Sequence, residues 1–204
     1  MTSKRKEDLR IDHKIIGDLV APGSAVLDMG CGDGDLLEYL VTSKEVRGSG
    51  VEIREEAIYK CVEKGLSVSH GDIDSGLREY PDNMFDYVIF NQTIQQVDRP
   101  VDALMEALRI GRKVIIGFPN FCDLRSRAQI FFGGHVPVTP SLPYSWYDTP
   151  NRHFLSIKDF ISFCDERGFN IEKQFFLSGS GLVRFLPNLF AVNAIFQISR
   201  KNNG

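Results

Sequence analysis

Apolar side chains at Ile11, Ile15, Ile16, Leu19 and Val20 recur at helical spacing, and Pro22-Gly23-Ser24 ends that stretch. The pattern then switches to short apolar runs separated by helical stripes. Ala25 to Met29 reads as a first strand, Leu36, Leu37, Leu40 and Val41 as the inner face of a helix, and Val46 to Ile53 as a second strand. Ala57, Ile58, Cys61 and Val62 make a helix stripe closed by Gly65, and Leu66 to His70 a short third strand. Phe85 to Phe90 is nearly all apolar, as a parallel strand buried on both faces should be. Pro100 suits the first turn of a helix with Val101, Leu104, Met105 and Leu108 inside, and Lys113 to Phe118 follows as strand five. Ser156 is placed to cap a helix over Ile157, Phe160, Ile161 and Cys164, which Gly168 ends. Ile171 to Phe176 and Ala191 to Ser199 read as the last two strands. Strands alternating with helices predict an α/β fold around a mostly parallel sheet.

Two stretches break the alternation. The first, residues 119–153, holds five prolines and the aromatics Phe121, Phe131, Phe132, Tyr144, Trp146 and Tyr147. A connection of that length is functional or disordered in most domains, and its aromatic content argues against disorder. A helix is expected within it over Asp123 to Phe132. The second is the Gly/Ser segment from Ser178 to Phe190, ending in Leu186-Pro187-Asn188-Leu189-Phe190.

The chemistry concentrates in Val26-Leu27-Asp28-Met29-Gly30-Cys31-Gly32-Asp33-Gly34. A strand runs into a turn with glycine at every second position, and Glu52 closes the next strand. Strand, glycine turn, helix, strand, acid is the layout of a nucleoside-binding crevice, with the acid accepting from the ribose hydroxyls. A dinucleotide fingerprint needs its third glycine where Asp35 stands, and no Walker lysine follows. Asp28, Asp33 and Asp35 also crowd the turn with negative charge, which disfavours a phosphate and suits a ligand with sulfonium and ammonium groups. S-adenosylmethionine is such a ligand.

At this turn the chain resembles the class I methyltransferases. The resemblance implies a Rossmann-like fold with a mostly parallel seven-stranded sheet and helices on both faces. It also implies a cofactor set at the strand ends: Asp28, Gly30, Cys31, Gly32 and Gly34 toward the methionine part, Glu52 and Ile53 at the ribose, Asp72 and Ile73 at the adenine. Asn91 and Gln92 would stand where the methyl group is presented. Asp72 also has a plainer reading, since an Asp after a glycine often closes a turn.

At 204 residues and a net charge of −3, the chain is long enough for one well-cored domain and shows no broad basic surface, so nucleic acid is not a favoured partner. No apolar run reaches membrane-spanning length, and Met1 to Glu7 lack the apolar core of a signal peptide. Cys31, Cys61, Cys122 and Cys164 are scattered, which argues against a disulfide framework or a zinc site and for a reduced cytoplasmic protein. Methyl transfer rests chiefly on positioning, and no side chain here stands out as a catalytic base. His70 reads as a loop or edge histidine, and His135 and His153 draw notice only by lying in the insertion. Arg125 and Arg127 fit a solvated helix face better than a carboxylate site. Tyr144, Trp146 and Tyr147 suit a lid, a satellite core or a protein interface.

A closer resemblance covers nearly the whole chain. Leu9 to His13, Val26 to Leu37, Asp72 to Leu77, Asn91 to Gln95, Gly117 to Phe121, Pro137-Val138-Thr139, Leu142-Pro143-Tyr144, Trp146 to Asn151 and Pro187 to Phe190 together resemble the methionine biosynthesis protein MetW family. The resemblance implies an S-adenosylmethionine-binding protein, 1–204 as one domain, that supports homoserine O-acyltransferase. An active methyltransferase on a small-molecule acceptor is the alternative. Cys122-Asp123-Leu124, Arg152, Leu186 and Ala191-Val192 depart from the family pattern.

Overall fold

The computed structural model describes residues 10–179 and 181–201. The N-terminal Met1 to Glu7, Leu9 of the first family-like run, and Ser180 of the Gly/Ser segment lie outside them. Helix α1 (Ile11–Leu19) leads into β1 (Ala25–Met29), α2 (Asp35–Lys44), β2 (Arg47–Glu52), α3 (Glu55–Glu63) and β3 (Ser67–His70). A single turn, α4 (Ile73–Gly76), precedes β4 (Phe85–Asn91), α5 (Pro100–Ile110) and β5 (Gly111–Pro119). Then come α6 (Leu124–Gly133), α7 (Ile157–Glu166), β6 (Phe169–Ser178), β7 (Gly181–Leu182), the turn α8 (Pro187–Phe190) and β8 (Asn193–Arg200).

The strands form one sheet in the order β3-β2-β1-β4-β5-β8-β6-β7. The first five are parallel, and β8, β6 and β7 join antiparallel. The sheet thus has eight strands where seven were expected. The extra one is a two-residue hairpin arm, Leu182 against Leu177, too short to leave a periodic signal. β8 begins at Asn193 rather than Ala191, because Pro187 opens a helical turn and the Ala191 N–H is spent closing it onto the Pro187 carbonyl. The helix expected in the insertion is present one residue later than predicted. Asp123 is its cap, accepting from the N–H groups of Arg125 and Ser126.

Side chains alternate across the sheet into two cores. Val26, Tyr87, Ile89, Ile115 and Ile195 pack with Ile16, Leu19, Leu36 and Leu40 of α1 and α2. Leu27, Val88, Phe90, Ile116 and Phe196 pack on the other face with Leu104, Leu108 and Phe160 of α5 and α7. Ser156 and Asp159 close a reciprocal capping box that fixes where α7 begins. The strand order reverses between β1 and β4, so their carboxyl ends diverge to leave the crevice in which open α/β sheets hold ligands.

Candidate functional site

A cavity of about 700 Å³ opens at that crevice. Its inner wall comes from the strand ends. Gly30 takes φ +74°, and a Cβ there would lie 2.6 Å from the Thr93 methyl, so turn and β4 exit meet with no room for a side chain. Gly34 takes φ +80° and presses on Leu66 and Cys61 beneath the turn. The Gly30 N–H donates to the Val51 carbonyl at 2.8 Å, which ties the turn to β2.

Glu52 is the hub of this wall. It is buried, and one carboxylate oxygen accepts from the Gly32 N–H at 2.9 Å. The other accepts from the N–H groups of Ile53 at 3.1 Å and Arg54 at 2.9 Å, and from Arg54 Nε at 3.3 Å. Asp28 lies behind, 2% exposed. Burial, with the negative charge of Glu52 added, pushes its carboxyl up to about 7. Burial likewise pushes the Cys31 thiol well above its usual range, which leaves it inert at neutral pH.

The predicted residues divide between cavity and scaffold. Gly30, Glu52, Ile53, Asp72, Ile73, Asn91 and Gln92 line the cavity. Asp28, Cys31 and Gly34 are buried beneath the lining, and half-buried Gly32 lies outside it and shapes the turn. Asp72 also caps α4, accepting from the Asp74 N–H at 3.0 Å. Asp74 in turn accepts from the N–H groups of Asp98 and Arg99, both at 2.9 Å, and so closes one side of the mouth. Gln92 holds φ +62°, a left-handed conformation uncommon for a side-chain-bearing residue. Its carbonyl accepts from the side-chain amides of Gln95 and Gln96.

Several residues of the site were not foreseen. Asp12 of α1 is buried and accepts from Asn91 Nδ2 at 3.0 Å, joining the first helix to the end of β4. Burial pushes its carboxyl up, but the Asn91 hydrogen bond, Arg10 and His13 outweigh that and hold it below the usual carboxylate range. A polar pair, Asp12-His13, on an otherwise apolar helix face was the available sequence signal. The outer wall comes from the insertion: Tyr144, one of the three rings that suited a lid, lines it, together with Asp148, Pro150 and Arg152, which were not foreseen. The N–H groups of Arg152 and His153 donate to the Gln95 carbonyl at 2.9 and 3.0 Å, and the Arg152 guanidinium pairs with Asp98. Arg125 and Arg127 do not line the cavity; Arg127 bonds the Cys122 carbonyl.

The model of the methionine biosynthesis protein MetW matches residues 10–198. The chain belongs to the MetW family. A Rhodopirellula baltica protein, "Bifunctional methionine biosynthesis protein MetXA/MetW", is 34% identical over 95% of this chain. Phosphoethanolamine N-methyltransferase 1 of Arabidopsis thaliana is 31% identical over 62% of it. The chain spans 33% and 24% of the lengths of these two curated relatives. A SAM-dependent methyltransferase of Thermotoga maritima superposes with a TM-score of 0.66, covering 93% of this chain and 88% of that one at 20% identity, which establishes the methyltransferase fold. Of the positions expected to depart from the MetW pattern, Asp123 and Leu186 have roles in helix ends, and Arg152 lies at the cavity. Asp123 caps α6, Arg152 clasps Asp98, and Leu186 takes φ +43° to open α8.

Proposed function

We propose that this MetW-family chain binds S-adenosylmethionine in the cavity between β1 and β4 and supports a homoserine O-acyltransferase in methionine biosynthesis. The observation that carries the partner is the Rhodopirellula baltica relative, in which MetXA and MetW share one polypeptide. We take its MetXA part to be the acyltransferase.

The donor set fits the cofactor. Glu52 offers a carboxylate on the inner wall whose Arg54 Nε contact a ribose diol would replace. Asp72 and Ile73 supply a polar and an apolar contact beside it. The surplus of acids over Arg54 and Arg152 around the cavity favours a ligand bearing positive charge. Bound there, the cofactor would supply an electrophilic methyl group; the chain supplies position and charge.

The test is acylation of homoserine by the purified acyltransferase, with and without this chain, alongside a calorimetric titration of the pair. A rate increase together with a complex supports the reading, and neither effect sinks it. A second reading has its own support: the similarity to an N-methyltransferase, and a cavity within the usual size range of small-molecule sites. Among the described residues neither histidine nor lysine lines that cavity, so an acceptor amine would arrive neutral or lose its proton to a carboxylate or Tyr144. Release of S-adenosylhomocysteine in the presence of a defined amine would establish this reading.

A further inference from the structure

The strap from Tyr144 to Arg152 has two sides. Tyr144, Asp148, Pro150 and Arg152 line the cavity, whereas Trp146 and Tyr147 between them do not. Those two rings stand edge to face, 5.7 Å apart and 74% and 73% exposed. Lining and exposed residues therefore share one short length of chain with no helix or strand in it. A ligand that touches Tyr144 and Asp148 acts on the backbone that carries Trp146 and Tyr147.

We infer that Trp146 and Tyr147 are the anchor through which this chain engages the acyltransferase, and that ligand in the cavity sets how they are presented. This rests on the function proposed above. Tyr and Trp dominate interface energetics because they bury much area with few torsions to fix. Two such rings bury roughly 300–500 Å². That falls short of the roughly 800 Å² per partner of a stable free-standing dimer. The two rings alone therefore anchor an interface rather than complete one. A partner that can be held close by other means, as when two halves share a polypeptide in the Rhodopirellula baltica relative, fits such an anchor. Coupling of this kind is reciprocal, so the acyltransferase changes the affinity for S-adenosylmethionine by the same factor that S-adenosylmethionine changes the affinity for the acyltransferase.

Trp146 is the only tryptophan in the chain, so its emission reports on the strap alone. Titrating the isolated protein with S-adenosylmethionine should shift that emission at the concentrations where calorimetry shows binding. Saturation without any change in emission overturns the coupling. The double variant Trp146→Ala/Tyr147→Ala should bind S-adenosylmethionine within twofold of wild type, which also shows that it folds. It should hold the acyltransferase at least about tenfold more weakly and lose the response of that affinity to the cofactor. A variant that holds the acyltransferase as tightly as wild type overturns the inference. Wild-type chain that forms no complex at all, with or without cofactor, overturns the proposed function, and the inference falls with it; the wild-type arm tells the two failures apart.

Discussion

Replacing Glu52 by Gln tests the inner wall at its hub. The side chain keeps its shape but loses its charge, and one acceptor oxygen becomes an NH2 donor. In the structure those oxygens hold the N–H groups of Gly32, Ile53 and Arg54. The less costly orientation turns the NH2 toward Gly32, because only one backbone donor then loses its acceptor. A hydrogen bond to a charged acceptor is worth about 1.5–3 kcal/mol, so the turn loses about 2 kcal/mol. Removing the charge that raises Asp28 gives part of this back. The ligand loses more. Two ribose hydroxyls on a carboxylate each forfeit roughly half their strength when the acceptor becomes neutral, about 2–3 kcal/mol in all.

That loss corresponds to an affinity for S-adenosylmethionine about 30- to 150-fold weaker. Calorimetry on the two proteins at one pH measures it. Arg54→Ala should act in the opposite direction, because Arg54 Nε occupies an oxygen the ribose needs. Arg54 is largely exposed, so the gain is at most about fivefold. Glu52→Gln protein that melts like wild type and binds S-adenosylmethionine within threefold of it refutes the ribose role of Glu52.

Asp28 titrates at about 7 when folded against its ordinary 3.8, so its contribution to stability is full below pH 4 and is lost as pH rises to 7. Between pH 5 and pH 8 this group should cost the wild type a few kcal/mol that Asp28→Asn does not lose, as read by urea unfolding at the two pH values. Gly30→Ala forces a Cβ against Thr93 at positive φ, so it should destabilise by about 1–3 kcal/mol and weaken cofactor binding, checked by thermal melting and calorimetry. Asn120→Ala should cost about 3 kcal/mol in urea unfolding: Asn120 is fully buried, its amide donates to the Asn188 and Ala191 carbonyls, and its oxygen accepts from the Cys122 N–H. A loss below 1 kcal/mol would show that the junction of β5 with α8 is not held by that side chain.

The parallel half of the sheet was legible because strands buried on both faces must be largely apolar, and β1 and β4 are, apart from Asp28 in the one and Asp86 and Asn91 in the other. The last strands were less so. β6 alternates buried and exposed positions imperfectly and carries a bulge between Ile171 and Lys173, so its ends at Phe169 and Ser178 escaped the pattern. The glycine turn and Glu52 were found because their geometry is local. Of the outer wall only Tyr144 was offered, as one of three rings suited to a lid; Asp148, Pro150 and Arg152 were not, since their place depends on contacts that no spacing encodes. Asp12 reaches Asn91 across 79 residues, and Arg152 reaches Asp98 from the far end of the insertion. Arg152 was singled out only as a departure from the family pattern and Asp98 not at all; only the fold makes them a pair.

The two walls of the cavity differ in what it takes to move them. The inner wall is built on strand ends whose backbone groups are bonded within the sheet, and shifting it breaks the β1–β2 and β1–β4 ladders. The strap is held at one end by two N–H groups on the Gln95 carbonyl and by an ion pair whose side chains are both more than half exposed. Such a pair is worth at most about 1 kcal/mol, and a shared carbonyl adds little more than one net hydrogen bond. A few kcal/mol of ligand contact therefore suffices to reposition the strap but not the inner wall, because ligand can shift an equilibrium only by its differential affinity for the two states. In the proposed function recognition then belongs to the rigid acids and glycines of the inner wall. In the proposed coupling the response belongs to the aromatic insertion, which is held loosely enough to turn occupancy into a change at the surface.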